Sequence, residues 1–122
     1  MNKRLAKIEK AGLNVLDRGI LTFSILVHYE DGCHQDIGNR CLDSYNGIKR
    51  VGTAYGCEMI RRLLLELQVN DFSEMKGLKV WVHGEGEGLM FNPHGVSSLR
   101  VDNPKSNPVM YADIYHDFST EV

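Results

Sequence analysis

Val51–Val69, VGTAYGCEMIRRLLLELQV, is the one stretch of the chain with a sustained helical period. Gly56, Ile60, Leu63, Leu64 and Leu67 recur at spacings of three and four, so they share one face. Glu58, Arg61, Arg62, Glu66 and Gln68 fall opposite. There Glu58 with Arg62, and Arg62 with Glu66, make i,i+4 pairs worth about 0.2–0.5 kcal/mol each. Thr53 is the expected N-cap and Asn70–Asp71 the expected stop. Leu65 lies off the core face and marks either a widened buried stripe or a contact with another subunit. Gly56 costs about 1 kcal/mol relative to alanine inside a helix. The preferred reason for it is close approach of this turn to a sheet. The second reading is room for a ligand.

The flanking sequence reads as strands and turns. Ile20 to Tyr29 is the clearest strand, with Leu21, Phe23, Ile25, Val27 and Tyr29 on one apolar face. Leu5 to Leu16 fits a helix or a strand, and a strand paired with its successor through Asp17-Arg18-Gly19 is preferred. Cys33 to Leu42 reads as a polar return strand at an edge, interrupted by a bulge at Gly38. Asp43 to Arg50 is expected as a loop turning at Asn46-Gly47. Phe72 to Gly77 is expected as one capped helical turn, and Leu78 to His83 as a strand. Leu89–Phe91 is expected to pair back, Asn92–Gly95 to turn, and Val96–Val101 to form a short strand. Asn103 to Pro108 is expected as a loop. Val109 to Phe118 fits a strand or a helix, with strand preferred. The prediction is an α+β fold: a mainly antiparallel β-sheet packed against one principal α-helix over about residues 53–69, in a single domain spanning 1–122.

Composition narrows the function. The formal net charge of −2 argues against a nucleic-acid binder held by a basic face. Cysteines 33, 41 and 57, an odd number, read as reduced thiols. No apolar run approaches membrane-spanning length. A cytoplasmic protein with no membrane partner is the expectation.

Cys33-His34, Cys41 and Cys57 have suitable ligand chemistry but match none of the usual zinc spacings. No metal and no cofactor are expected, and Cys57 is read as a small buried residue near the helix start. His83, His94 and His116, the last flanked by Asp113 and Asp117, lack a nucleophile elbow or paired carboxylates. No catalytic residue is assigned. GEGEG at Gly84–Gly88 lacks both dinucleotide and P-loop spacing. It reads as an acidic hairpin tip, with Glu85, Glu87 and Trp81 as candidate protein contacts. The remaining candidate is Lys49-Arg50-Val51-Gly52-Thr53-Ala54-Tyr55-Gly56. Two cations, two glycines, a hydroxyl and a ring surround a helix N-terminus there, where free N–H groups favour anions. Lys49, Arg50, Gly52, Thr53 and Tyr55 are the candidate anion ligands. The alternative is that the cations are the solvated end of a loop.

The stretch Gly19 to Val82 resembles small uncharacterised accessory proteins of tailed bacteriophages, most closely at RVGTAYG (Arg50 to Gly56) and the leucine-rich helix after it. That resemblance implies a phage setting and a protein that binds host machinery or host defence components. The first functional expectation is therefore a non-enzymatic inhibitor of a host protein, such as a CRISPR effector. The second is a sponge sequestering an anionic nucleotide at the helix N-terminus. The third is a small hydrolase or metal-dependent enzyme using the His and Asp groups near the C-terminus. A homodimer is also expected, formed through the open polar edge with Leu65 and Trp81 as exposed apolar groups.

Overall fold

Strand β2 (Leu21–Tyr29) carries the centre of the core. Alternate side chains of a strand face the same side, and on this side Phe23, Ile25, Val27 and Tyr29 are all buried. A computed structural model describes residues 1–15, 19–99 and 107–118. Strand β1 (Asn2–Val15) is the long strand preferred over a helix, and it pairs antiparallel with β2 from Ala6↔Tyr29 to Val15↔Leu21. Its register shifts between Ile8 and Lys10, a bulge that leaves Glu9 as the extra residue. Asp17 and Arg18 of the expected turn lie outside the described residues.

The return strand is broken as its composition implies. β3 (His34–Asp36) and β4 (Arg40–Cys41) both pair with β2, and residues 37–39 bow between them. Gly38 sits against β2 so closely that a Cβ there would lie 2.5 Å from the Phe23 carbonyl oxygen. Asp43 to Arg50 is more ordered than expected: β5 (Asp43–Tyr45) and β6 (Arg50–Gly52) form a small hairpin. Asn46 organises its turn by accepting from the Ile48 and Lys49 amides at 3.0 Å each.

β7 (Lys79–Glu85) pairs with the other edge of β1, and β8 (Asn92–Ser98) pairs with β7. The turn expected at Asn92–Gly95 is strand. Pro93 is accommodated because it falls where the β7–β8 register shifts, a place where the missing N–H is not needed. The reversal occurs earlier, through a 3₁₀ turn at Gly88–Met90, so Leu89 does not pair back. β9 (Val109–Met110) completes the order β3-β2-β1-β7-β8-β9. Arg100 and Val101, and Asn103 to Ser106 of the expected loop, lie outside the described residues.

Two helices cover the Phe23 face of this antiparallel sheet, giving the α+β fold. α1 (Ala54–Leu67) is capped by Thr53 and ends where Gln68 takes a left-handed conformation with φ 56°, three residues before Asp71. Its buried line runs through Tyr55, Met59, Leu63 and Leu67, one step round from the predicted one; Ile60 and Leu64 are only half-buried. Glu66 is inside as well. Its carboxylate accepts from the Ser98 and Asn107 amides at 2.7 and 2.8 Å. Arg62 instead lies 3.5 Å from Glu58. The 3₁₀ turn Phe72–Met75 plugs one end of the core. α2 (Tyr111–Phe118) corrects the strand preferred for Val109–Phe118, which extends over two residues only. Tyr111 and Ile114 enter the core, and Tyr111 meets Phe23 edge-on with ring centroids 5.8 Å apart. The helical alternative won because those buried residues are three apart.

A Cβ at Gly56 would lie 1.9 Å from the Leu42 carbonyl oxygen. Gly56→Ala should therefore destabilise the protein in urea unfolding, although alanine normally favours a helix by about 1 kcal/mol. Leu63→Ala should cost about 2–5 kcal/mol in the same assay, and Leu64→Ala distinctly less. A more stable Gly56→Ala variant would contradict this docking of α1.

Candidate ligand-binding site

The predicted anion ligands separate around the start of α1. Thr53 Oγ1 accepts from the Gly56 amide at 2.8 Å and donates to the Leu42 carbonyl at 2.6 Å. Its hydroxyl is thereby committed to docking the helix. Arg50 already has an anion: its Nε and Nη2 donate to Asp43 Oδ1 at 3.1 and 2.7 Å. The Leu21 amide donates to the other Asp43 oxygen at 3.0 Å. Arg50 holds the Asp43 carboxyl down to about 2, with the Leu21 amide and the Cys41 thiol helping, and Asp43 in turn raises Arg50. Lys49 and Gly52 are exposed. Tyr55 is buried and faces elsewhere.

Tyr55 opens onto a cleft of about 320 Å³ lined by Arg40, Tyr55, His94, Tyr111, Ala112 and Tyr115. These residues come from β4, the first turn of α1, β8 and α2. Tyr55 and Tyr115 meet edge-on at 5.2 Å. The Tyr111 hydroxyl donates to the Ile37 carbonyl at 2.8 Å, which leaves its ring face toward Arg40, whose guanidinium lies 5.1 Å from the ring centre. Burial raises the Tyr55 and Tyr111 hydroxyls, so both stay protonated at neutral pH. Arg40 Nη2 donates to the Pro93 carbonyl at 3.0 Å, while its buried Nε has no hydrogen-bond partner among the described residues. No carboxylate pairs with Arg40 among them either. A second depression of about 310 Å³ along α1, lined by Arg61, Arg62, Leu65, Glu66 and Asn107, has no such spare charge. Both of its arginines lean on Glu58.

The expected contact residues divide. Glu85 and Glu87 are exposed at the β7–β8 tip, and beside them Leu89 and Met90 are 90% and 82% exposed. Trp81 is half-buried away from the tip, with the Lys3 ammonium 4.5 Å over its ring. Its Nε1 is buried without a partner among the described residues.

The remaining flagged residues are also scattered. His83 Nε2 lies 2.8 Å from Ser97 Oγ, and burial followed by Lys3 pushes the imidazole down. The serine hydroxyl of that pair is on a residue only 5% exposed. His116 is exposed beside Asp117, and His94 lines the cleft. Cys41 and Cys57 are exposed, which corrects the buried Cys57, and Cys33 is half-buried. Arg40, Tyr111 and Tyr115 were not singled out as site residues from sequence. The only signals they carried were an arginine in a polar edge strand and the Tyr111–Tyr115 spacing of the helical alternative.

The Asp43 carboxyl is depressed in the folded state, so its pairing stabilises the fold above the ordinary aspartate range and is lost as pH falls toward 2. Asp43→Asn should flatten that part of the acid limb of a urea-midpoint-against-pH curve. An unchanged acid limb would remove this pair from the stability of the fold.

Among the described residues no helix is long and apolar enough to cross a membrane. No protein-family model matches the chain, no curated protein matches its sequence, and no solved structure matches its fold.

Proposed function

We propose that this chain is a binding protein for a small anion carrying an aromatic ring, of the nucleotide class, held in the Arg40 cleft. The observation that carries this reading is Arg40 itself: a half-buried guanidinium, unpaired with any carboxylate among the described residues, at the wall of a tyrosine-lined hollow. A guanidinium presents paired donors that match phosphate oxygens, and Tyr111 beneath it fixes its plane. The Tyr55, Tyr115 and His94 rings supply faces for a base, each such stack being worth about 1–3 kcal/mol. The cleft volume is at the small end of ligand pockets, which suits one nucleotide unit. Arg50, engaged by Asp43, has no part in it. In the bacteriophage setting, which rests on the RVGTAYG resemblance alone, such a protein would withdraw a host nucleotide signal.

The exposed Leu89 and Met90 at the acidic β7–β8 tip favour a second reading, contact with a host protein. Among the described residues the tip's own structure does not use these two side chains, so Leu89→Ser with Met90→Ser should leave the melting temperature unchanged while abolishing such contact.

Calorimetry and thermal shift with mononucleotides, cyclic dinucleotides and inorganic phosphate test the cleft. A nucleotide should raise the melting temperature and phosphate alone should bind weakly. Arg40→Gln should weaken the nucleotide at least about 10-fold, or 1.4 kcal/mol. Tyr115→Ala should weaken it about 10-fold through the lost stack, within the range given for base–aromatic contacts. No heat and no shift from any of these ligands would remove the cleft reading and leave protein contact.

A further inference from the structure

We propose that Glu9, His28 and His34 form a binding site for a divalent transition-metal ion of the zinc class, on the face of the sheet opposite the helices. Three strands build it. His28 on β2 and His34 on β3 are register partners, so their side chains leave the sheet side by side. Their rings stack with centroids 4.4 Å apart and planes 11° from parallel. Val27 and Tyr29, on either side of His28, point into the core, which puts His28 on the outer face.

Glu9 reaches that face because it follows the buried Ile8 in β1, so strand alternation sends it outward. The register shift between Ile8 and Lys10 makes it the extra residue of the bulge. Glu9 Oε1 lies 3.2 Å from His34 Nδ1 and 3.6 Å from His28 Nδ1. All three potential ligand atoms lie within 4.8 Å of one another. A tetrahedral zinc with bonds near 2.0–2.1 Å needs neighbouring ligand atoms about 3.3 Å apart. Small side-chain rotations at this exposed position bring the triad to that spacing.

The ligand set selects the ion. Two imidazole nitrogens and one carboxylate suit zinc, copper, nickel or cobalt, whereas magnesium and calcium require oxygen ligands. Lys7, the register partner of His28, and Lys10, across from Leu26, belong to the same outer surface. The patch is therefore no dense acidic surface that would hold calcium by charge. Three protein ligands leave a fourth position for water or an incoming group. This site is separate from the Arg40 cleft, and the inference stands without the nucleotide reading.

Zinc calorimetry and cobalt absorption titrations on the chelator-stripped 122-residue chain test it. One ion per chain is expected, with cobalt giving the visible bands of a four-coordinate nitrogen–oxygen site and magnesium giving no heat. His28→Ala, His34→Ala and Glu9→Gln should each weaken zinc at least about 10-fold, since even changes to groups behind the ligands cost that much. Far-UV circular dichroism should be unchanged in all three, because each side chain is at least one-third exposed. Cys41→Ser with Cys57→Ser, removing the two exposed thiols, should leave zinc affinity intact. No zinc binding by the parent protein, undiminished binding in His28→Ala and His34→Ala, or loss in the double cysteine variant would each overturn the proposal.

Discussion

The docking of α1 on the Leu42 carbonyl governs the rest of the molecule. That one oxygen accepts the Thr53 hydroxyl at 2.6 Å and lies where any Gly56 side chain would stand. The cap and the glycine thus act together, since Thr53 fixes the entry of the helix while Gly56 lets its first turn descend onto the chain after β4. At that depth the helix sets Met59 and Leu63 against the sheet and turns Ile60 and Leu64 to its flank. It also engages the helix N-terminus, where the Thr53 hydroxyl meets both the Leu42 carbonyl and the Gly56 amide, since backbone groups buried without partners are costly.

Two arginines show how context decides chemistry. Arg50 sits in the motif that draws the eye, yet Asp43 neutralises it at 2.7 Å and makes it a tie across the β5–β6 hairpin. Arg40 sits in an undistinguished edge strand and has no acidic partner among the described residues. Desolvating a charge without a counter-charge is unfavourable, so a protein that keeps one at a cleft wall has an unmet electrostatic need there. Pro93 contributes to this arrangement: placed at the β7–β8 register shift, it turns its carbonyl to Arg40.

The parts of the fold legible in sequence were those with a period long enough to exclude alternatives. β2 has five apolar residues in strict alternation, and α1 has four turns of apolar spacing. The rotation of the α1 face was not legible, because Met59 and Ile60, or Leu63 and Leu64, are adjacent apolar residues. Only the depth of docking chooses between them. Glu66 read as solvated because a carboxylate is rarely buried, and nothing local announced the Ser98 and Asn107 amides that satisfy it. α2 was ambiguous because ten residues with apolar side chains at Met110, Ala112, Ile114 and Tyr111, Ile114, Tyr115 fit both periods. The cleft was invisible for a different reason. Its walls come from positions 40, 55, 94 and 111–115, which only tertiary structure brings together.

Among the described residues the sheet has helices on one face only, and this asymmetry separates its chemistry. On the covered face Glu66 is satisfied by the Ser98 and Asn107 amides, and Arg40 with the tyrosines gathers at the hollow between β4, α1, β8 and α2. On the other face the Lys3 ammonium lies over the Trp81 ring, while Arg4, paired with Asp31 at 2.7 Å, lies over Tyr29 at the end of the covered face. The Lys3 stem screens apolar surface that no helix covers, keeping its charge in water. Stacked histidines and a bulged glutamate fit this pattern poorly, since they screen little apolar area and bring three potential ligand atoms to one point. A bulge interrupts ladder pairing and lowers the regularity of β1. Here the residue at the bulge is the one whose carboxylate lies against two imidazoles, which gives the open face a specific chemistry in addition to its solvent-shielding role.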